Sequence, residues 1–113
     1  MNGAGIVFVY ATYPDLEMAK EAAASAVKDE LAACANILPS MVSVYRWQGE
    51  IETANEVAAI FKTRKDLVPE LMQSLRDLHP YDVPALLELP VDRVDGPYGA
   101  WLMAETKSSA GAD

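Results

Sequence analysis

The sequence predicts an α+β domain of ferredoxin-like βαββαβ order, a four-stranded antiparallel sheet with two helices on one face, an extended central hairpin and a short C-terminal helix. Three observations predict it. β-prone apolar runs lie near both ends, at residues 6–12 and 85–91. Two stretches of helical spacing flank a long hairpin pattern that turns at Gln48-Gly49. Prolines mark the joins, at Pro14, Pro69, Pro80 and Pro84.

Each element has its own reason. Ile6-Val7-Phe8-Val9-Tyr10-Ala11-Thr12 is uninterrupted, the pattern of a strand at the centre of a sheet. Pro14 and Asp15 open a helix that Asp15 can cap, and Leu16, Ala19, Ala23, Ala26, Val27 and Leu31 give it an alanine-rich stripe suited to close packing. The hairpin runs from Val42 to Trp47, turns, and returns from Glu50 to Thr63. Two-residue closure puts Val42, Val44 and Arg46 on one face with Ile51, Val57, Ala59 and Phe61, which should pack under the helices. Ser43, Tyr45 and Trp47 then share the other face with Glu50, Glu52, Glu56 and Lys62, unless a bulge near Thr53-Ala54-Asn55 swaps the faces beyond it. A strand over 51–63 spans roughly 40 Å, more than so small a domain covers, so oligomerisation by sheet extension is expected. A second helix starts near Asp66, since Pro69 fits only its first turn, and Leu67, Leu71, Leu75 and Leu78 form its core face. Residues 98–106 form the final helix. Residues 1–106 make one domain, and the polar stretch 107–113 reads as a disordered tail.

Composition excludes several classes. At 113 residues the chain can bury a core without disulfides, and a formal net charge of -8 argues against nucleic-acid and anionic-membrane partners. A single cysteine, Cys34, rules out an internal disulfide and any Cys-x-x-Cys motif, and the N-terminus has no signal pattern, so a cytoplasmic protein is expected. An RNA-binding domain, a heavy-metal-associated domain with paired cysteines and an acylphosphatase-like anion cradle all lack their motifs here. No nucleophile arrangement is evident, and no enzyme activity is expected.

The segment His79-Pro80-Tyr81-Asp82-Val83-Pro84 concentrates the polar chemistry. Its two prolines end the preceding helix at His79 and stiffen a loop that presents an imidazole, a phenol and a carboxylate.

Taken in order, Ala33-Cys34-Ala35-Asn36-Ile37, Ser43-Val44-Tyr45-Arg46-Trp47-Gln48-Gly49-Glu50-Ile51, Glu56, Lys62-Thr63, the loop at 79–84, Tyr98 and Trp101 resemble the successive signatures of the CutA family, the divalent-cation tolerance proteins. The resemblance covers about Val7 to Leu102. It implies a ferredoxin-like subunit, a homotrimer similar to the PII signalling proteins, and association with copper or other divalent cations. One departure is Ala85, where the family usually carries a glutamate after the second proline.

The candidate residues follow. Cys34 is either a small core filler or a thiolate ligand for Cu(I), and His79 either caps a helix C-terminus or ligates a metal. One of each is too few for a closed site in one chain, so a metal site needs several copies. Tyr45, Trp47, Tyr81, Tyr98 and Trp101 suit a subunit interface or a pocket lining, and Glu56 with Lys62 suits a cross-subunit ion pair. The expected function is a homotrimeric, copper-binding protein of metal tolerance. The rivals are a PII-like signalling trimer holding a small anionic metabolite through Arg46, Lys62, Arg64 and Lys65, and a structural trimer that anchors an unidentified protein partner.

Overall fold

The two strands of the central hairpin set the shape of the molecule. In the computed structural model, which describes residues 5–108, the elements are β1 (Ile6–Tyr13), α1 (Leu16–Lys28), β2 (Cys34–Trp47), β3 (Glu50–Arg64), a 3₁₀ turn (Lys65–Leu67), α2 (Val68–Leu78), β4 (Leu86–Pro90) and α3 (Gly96–Ala104). The sheet order is β2-β3-β1-β4 with every neighbouring pair antiparallel, the expected βαββαβ fold.

Local chemistry explains the boundaries. Asp15 Oδ1 accepts the Met18 amide at 2.9 Å and caps α1. That helix ends in a Schellman arrangement, with Leu31 N–H on the Ala26 carbonyl and Glu30 in the left-handed region at φ 60°. The hairpin turn has positive φ at both Gln48 and Gly49, which matches the twist of the flanking strands. Pro69 lies in the first turn of α2, and His79 ends that helix in extended backbone, φ -81° and ψ 138°.

α1 and α2 cover one sheet face. Val7, Val9, Ala11 and Tyr13 of β1 lie directly opposite Thr63, Phe61, Ala59 and Val57 of β3, and all eight are buried. Ala19, Ala22, Ala23 and Ala26 bring α1 close to them, while Leu67, Leu71 and Leu75 fill the α2 side. Each fully buried large side chain contributes about 1.5–3 kcal/mol, so this layer carries the domain. The Thr63 hydroxyl donates to the Leu31 carbonyl at 2.6 Å and ties the end of β3 to the loop after α1. α3 packs at one end of the opposite face, where Leu102 joins Ile6 and Ala33 in a second small core.

Several expectations need correction. Val42, Val44 and Ile51 point to the helix side as predicted but are 67%, 66% and 63% exposed rather than packed under helices. The reason is length: α1 has 13 residues, about 20 Å, whereas β2 and β3 have 14 and 15, about 46–50 Å. The hairpin end therefore overhangs, and the longest molecular dimension is 45 Å. The bulge lies in β2 between Leu38 and Met41, around Pro39-Ser40, and not near Thr53–Asn55. Edge strand β2 tolerates a residue without an N–H there, and uninterrupted β3 keeps Glu56 and Lys62 on one face. Val27 and Leu78 are exposed, Leu78 because it is the last residue of α2. α3 begins two residues before Tyr98, with Pro97 in its first turn. The start of the expected tail is fixed: Lys107 N–H donates to the Glu30 carbonyl at 3.0 Å and its ammonium reaches Glu70 at 2.7 Å. Residues 109–113 of that expectation lie outside the described residues.

The left-handed positions yield a test by urea denaturation. Replacing Glu30 by glycine should raise stability by about 0.5–1 kcal/mol, and Gly49→Ala should lower it by about 1 kcal/mol, although no neighbour crowds the added methyl.

Candidate functional site

The sheet face opposite α1 and α2 collects the side chains singled out from the sequence. Glu56, Lys62, Met41, Ser43, Tyr45 and Trp47 all belong to it by strand parity. They form two clusters, because Glu56 and Lys62 stand six residues apart on β3, roughly 20 Å.

The first cluster joins Glu56 to the loop after α2. Tyr81 donates its hydroxyl to Glu56 Oε2 at 3.0 Å, and its backbone N–H donates to His79 Nδ1 at 3.1 Å. His79 Nε2 lies 2.7 Å from the Thr12 carbonyl. An imidazole whose Nδ1 accepts must carry its proton on Nε2, so the network assigns a neutral ring that donates to Thr12. That ring stacks on Tyr13 at 4.6 Å between centroids and meets Tyr81 at 4.9 Å. His79 thus ties the loop to the end of β1 through both nitrogens. For it to take a metal, one of these two bonds must break.

The second cluster lies where α3 covers the sheet. Cys34 and Lys62 are direct cross-strand partners, and Phe8 faces Lys62 from the other side. The Lys62 ammonium lies 3.3 Å from the Tyr98 hydroxyl, 5.4 Å from the centre of that ring and 5.8 Å from that of Phe8, a cation held by aromatic faces. Cys34 Sγ is 3.5 Å from the same hydroxyl, and Trp101 packs on Tyr98 at 5.5 Å. No carboxylate pairs with Lys62 among the described residues. Cys34 is a free cysteine, half-buried in the single chain.

Tyr45 and Trp47 ride on the overhang opposite Glu52 and Glu50, and Trp47 is 62% exposed. Neither cluster contains them, although the Tyr45 phenol is close enough to act electrostatically on Tyr81. The four cations named for an anionic ligand do not converge in one chain. Arg64 pairs with Asp66 at 3.2 Å, Lys65 with Glu88 at 2.6 Å, and Arg46, opposite Ile51 near the turn, lies about 36 Å along the hairpin from Lys62. Among the described residues, no three His, Cys, Asp or Glu side chains gather as a metal site within one chain.

Sequence reasoning missed one member of this region. Tyr13 is 1% exposed, stacks under His79, and its hydroxyl has no hydrogen-bond partner among the described residues. The alternation of β1 after Val7, Val9 and Ala11 points Tyr13 inward, and that signal was available in the sequence.

Both phenols titrate high. Burial pushes Tyr13 from 10.0 up to about 12. Tyr81 rises to about 12 through loss of water and then through the Glu56 carboxylate that its hydroxyl bonds. Because the folded values lie above the unfolded ones, the stability linked to both groups is complete below about pH 10 and is lost as pH rises through about 12. In a phenolate absorbance titration, Glu56→Gln should move one high-titrating tyrosine part of the way back towards 10 and leave the other in place. Two unmoved tyrosines would show that the carboxylate does not hold Tyr81.

Comparison with known proteins fits this arrangement. The family model described as CutA1 divalent ion tolerance protein matches residues 7–105. The divalent-cation tolerance protein CutA of Pyrococcus horikoshii is 45% identical over 102 residues, which is 90% of this chain and 99% of that one. Protein CutA of Homo sapiens is 40% identical over 99 residues, 88% of this chain, but the match spans only 55% of the human protein. The crystal structure of CutA1 from Oryza sativa superposes with a TM-score of 0.91 at 37% identity, covering 95% of this chain and 98% of that one. A match over nearly all of the described strands and helices, at these identities and on this fold, places the chain in the CutA1 divalent ion tolerance family.

Proposed function

We propose that this member of a divalent-cation tolerance family is a homotrimer that binds copper or a related divalent ion at sites completed between its copies. It acts in the response to metal and catalyses no reaction. The observation that carries the reading is the overhanging hairpin. It exposes Val42, Val44 and Ile51 on one face and Tyr45 and Trp47 on the other, an apolar and aromatic surface that a solitary small domain rarely leaves in water. A neighbouring copy is the simplest cover, and sheet edge β2 offers unpaired backbone groups along its outer side.

Association also addresses the shortage of ligands. Each chain brings one half-buried thiol, Cys34, beside α3 on the sheet face away from α1 and α2, and a hairpin whose overhang carries Glu50 and Glu52 to wherever it docks. Thiolate selects Cu(I), carboxylates suit harder divalent ions, and a set drawn from several copies supplies the donor number that one chain lacks. Ala85 lies half-buried at the entry to β4 and supplies no carboxylate to such a set. The protein is proposed to act in the cytoplasm, which cell fractionation checks.

The test is a competition titration of Cu(I) and Cu(II) against a coloured chelator. The unmodified protein should bind at a whole-number ratio per assembly, and Cys34→Ala should weaken Cu(I) binding about tenfold or more with the assembly intact. His79→Ala should first lower the melting temperature, since that ring holds both Thr12 and Tyr81. Cu(I) affinity unchanged in Cys34→Ala would remove the thiol from the site.

A further inference from the structure

The metal reading leaves Lys62 without a role, although its setting differs from that of every other cation. Among the described residues, three lysines and arginines are half-buried: Lys62, Arg64 and Lys107. Arg64 has Asp66 at 3.2 Å and Lys107 has Glu70 at 2.7 Å, whereas no carboxylate pairs with Lys62. The chain has 17 acidic residues against 9 basic ones, so carboxylates are not in short supply.

The groups around that ammonium are neutral. Phe8 and Cys34 flank Lys62 as its cross-strand partners, and the Tyr98 hydroxyl lies 3.3 Å from Nζ. An ammonium carries three donor protons, and the Tyr98 oxygen accepts one of them. The Tyr98 and Phe8 rings, 5.4 and 5.8 Å away, attract the charge through their faces but do not neutralise it. The same hydroxyl lies 3.5 Å from Cys34 Sγ, so ammonium, phenol and thiol form a cluster rich in donors and without an anion. Trp101 meets Tyr98 at 5.5 Å between ring centres, and the two rings are 42% and 39% exposed. Aromatic surface therefore reaches solvent beside the ammonium.

We infer that Lys62, Tyr98 and Trp101 bind a small organic monoanion, with its carboxylate on the Lys62 ammonium and its flat apolar body against the exposed rings. A hydrogen bond between two ionised groups is stronger than the bond to a neutral phenol that the ammonium makes in the free chain. One ammonium neutralises one charge, and a chain of net charge -8 repels polyanions, which selects a monocarboxylate over a nucleotide or polyphosphate. Exposed aromatic faces next to a single fixed charge select a flat ring over an aliphatic chain. The anion lies beside the thiol and not on it, so the inference stands apart from the metal reading.

The test is a titration of the metal-free protein with benzoate, in the presence of EDTA, followed by backbone amide shifts. Saturable binding at one benzoate per chain is expected, with a Kd of about 1 mM or below. The shifts should centre on residues 8, 34, 62 and 98–101. Benzamide, which has the same shape without the charge, and acetate, which has the charge without the ring, should each bind about tenfold more weakly. Lys62→Gln should weaken benzoate about tenfold and Lys62→Arg much less, because the arginine keeps the charge. Where Lys62→Gln folds poorly, the comparison of benzoate with benzamide on the unmodified protein decides. No benzoate binding at about 10 mM, equal affinity for benzamide or acetate, or shifts centred elsewhere would overturn the proposal. Equal loss in the two Lys62 variants, no loss in either, or tighter binding of inorganic phosphate would do the same. Because EDTA removes metal throughout, failure here leaves the metal reading intact, and failure of copper binding leaves this site intact.

Discussion

A mismatch in length between strands and helices governs this molecule. Two helices of 13 and 11 residues cannot cover a hairpin whose strands run to 14 and 15, because a helix rises less than half as far per residue as a strand. Under the helices the sheet is conventional, with Phe61, Ala59 and Val9 excluded from water. Past them the same alternation continues with nothing to pack on. Arg46 near the tip keeps some charge on the overhang, yet valine, isoleucine, tyrosine and tryptophan remain in water. The cost of that exposure is what association would remove.

The polar groups on the open face follow the same geometry. Glu56 and Lys62 face one way but are too far apart to neutralise each other, and each is held by a phenol: Glu56 by Tyr81, Lys62 by Tyr98. Hydrogen bonds to ionised groups are stronger than neutral ones, so both tyrosines anchor a segment that would otherwise be loosely held. Tyr81 brings the proline-stiffened loop onto β3, and Tyr98 brings α3 onto the Cys34 end of the sheet. His79 then joins the loop to β1. The result is a face whose charges are oriented and half-shielded.

Much of this was legible in the sequence. Strand alternation, the Gln48-Gly49 turn, the Asp15 cap and the Pro69 and Pro80 punctuation are local signals, and each matches the structure. The split of the hairpin into two faces was also correct, because uninterrupted β3 preserves parity. What failed was long-range. Whether Val42 meets a helix depends on where α1 ends in space, and no residue near Val42 records that. The β2 bulge was misplaced because Pro39 marks it on an edge strand and not on the longer partner. The pairing of Tyr81 with Glu56 joins positions 25 residues apart, and that of Tyr98 with Cys34 joins positions 64 apart, so neither has a local signal.

If further copies of the chain bury the exposed hairpin, the mass of the unmodified protein in solution shows it most directly. Sedimentation equilibrium at low micromolar concentration should give three times the chain mass, with no dissociation on dilution. Introducing charge at Val44 and Trp47, on the two faces of the overhang, should shift that mass towards the monomer with the subunit fold retained. A unmodified protein that sediments as a monomer would contradict the account, because the overhang would then be stable in water and would need no partner.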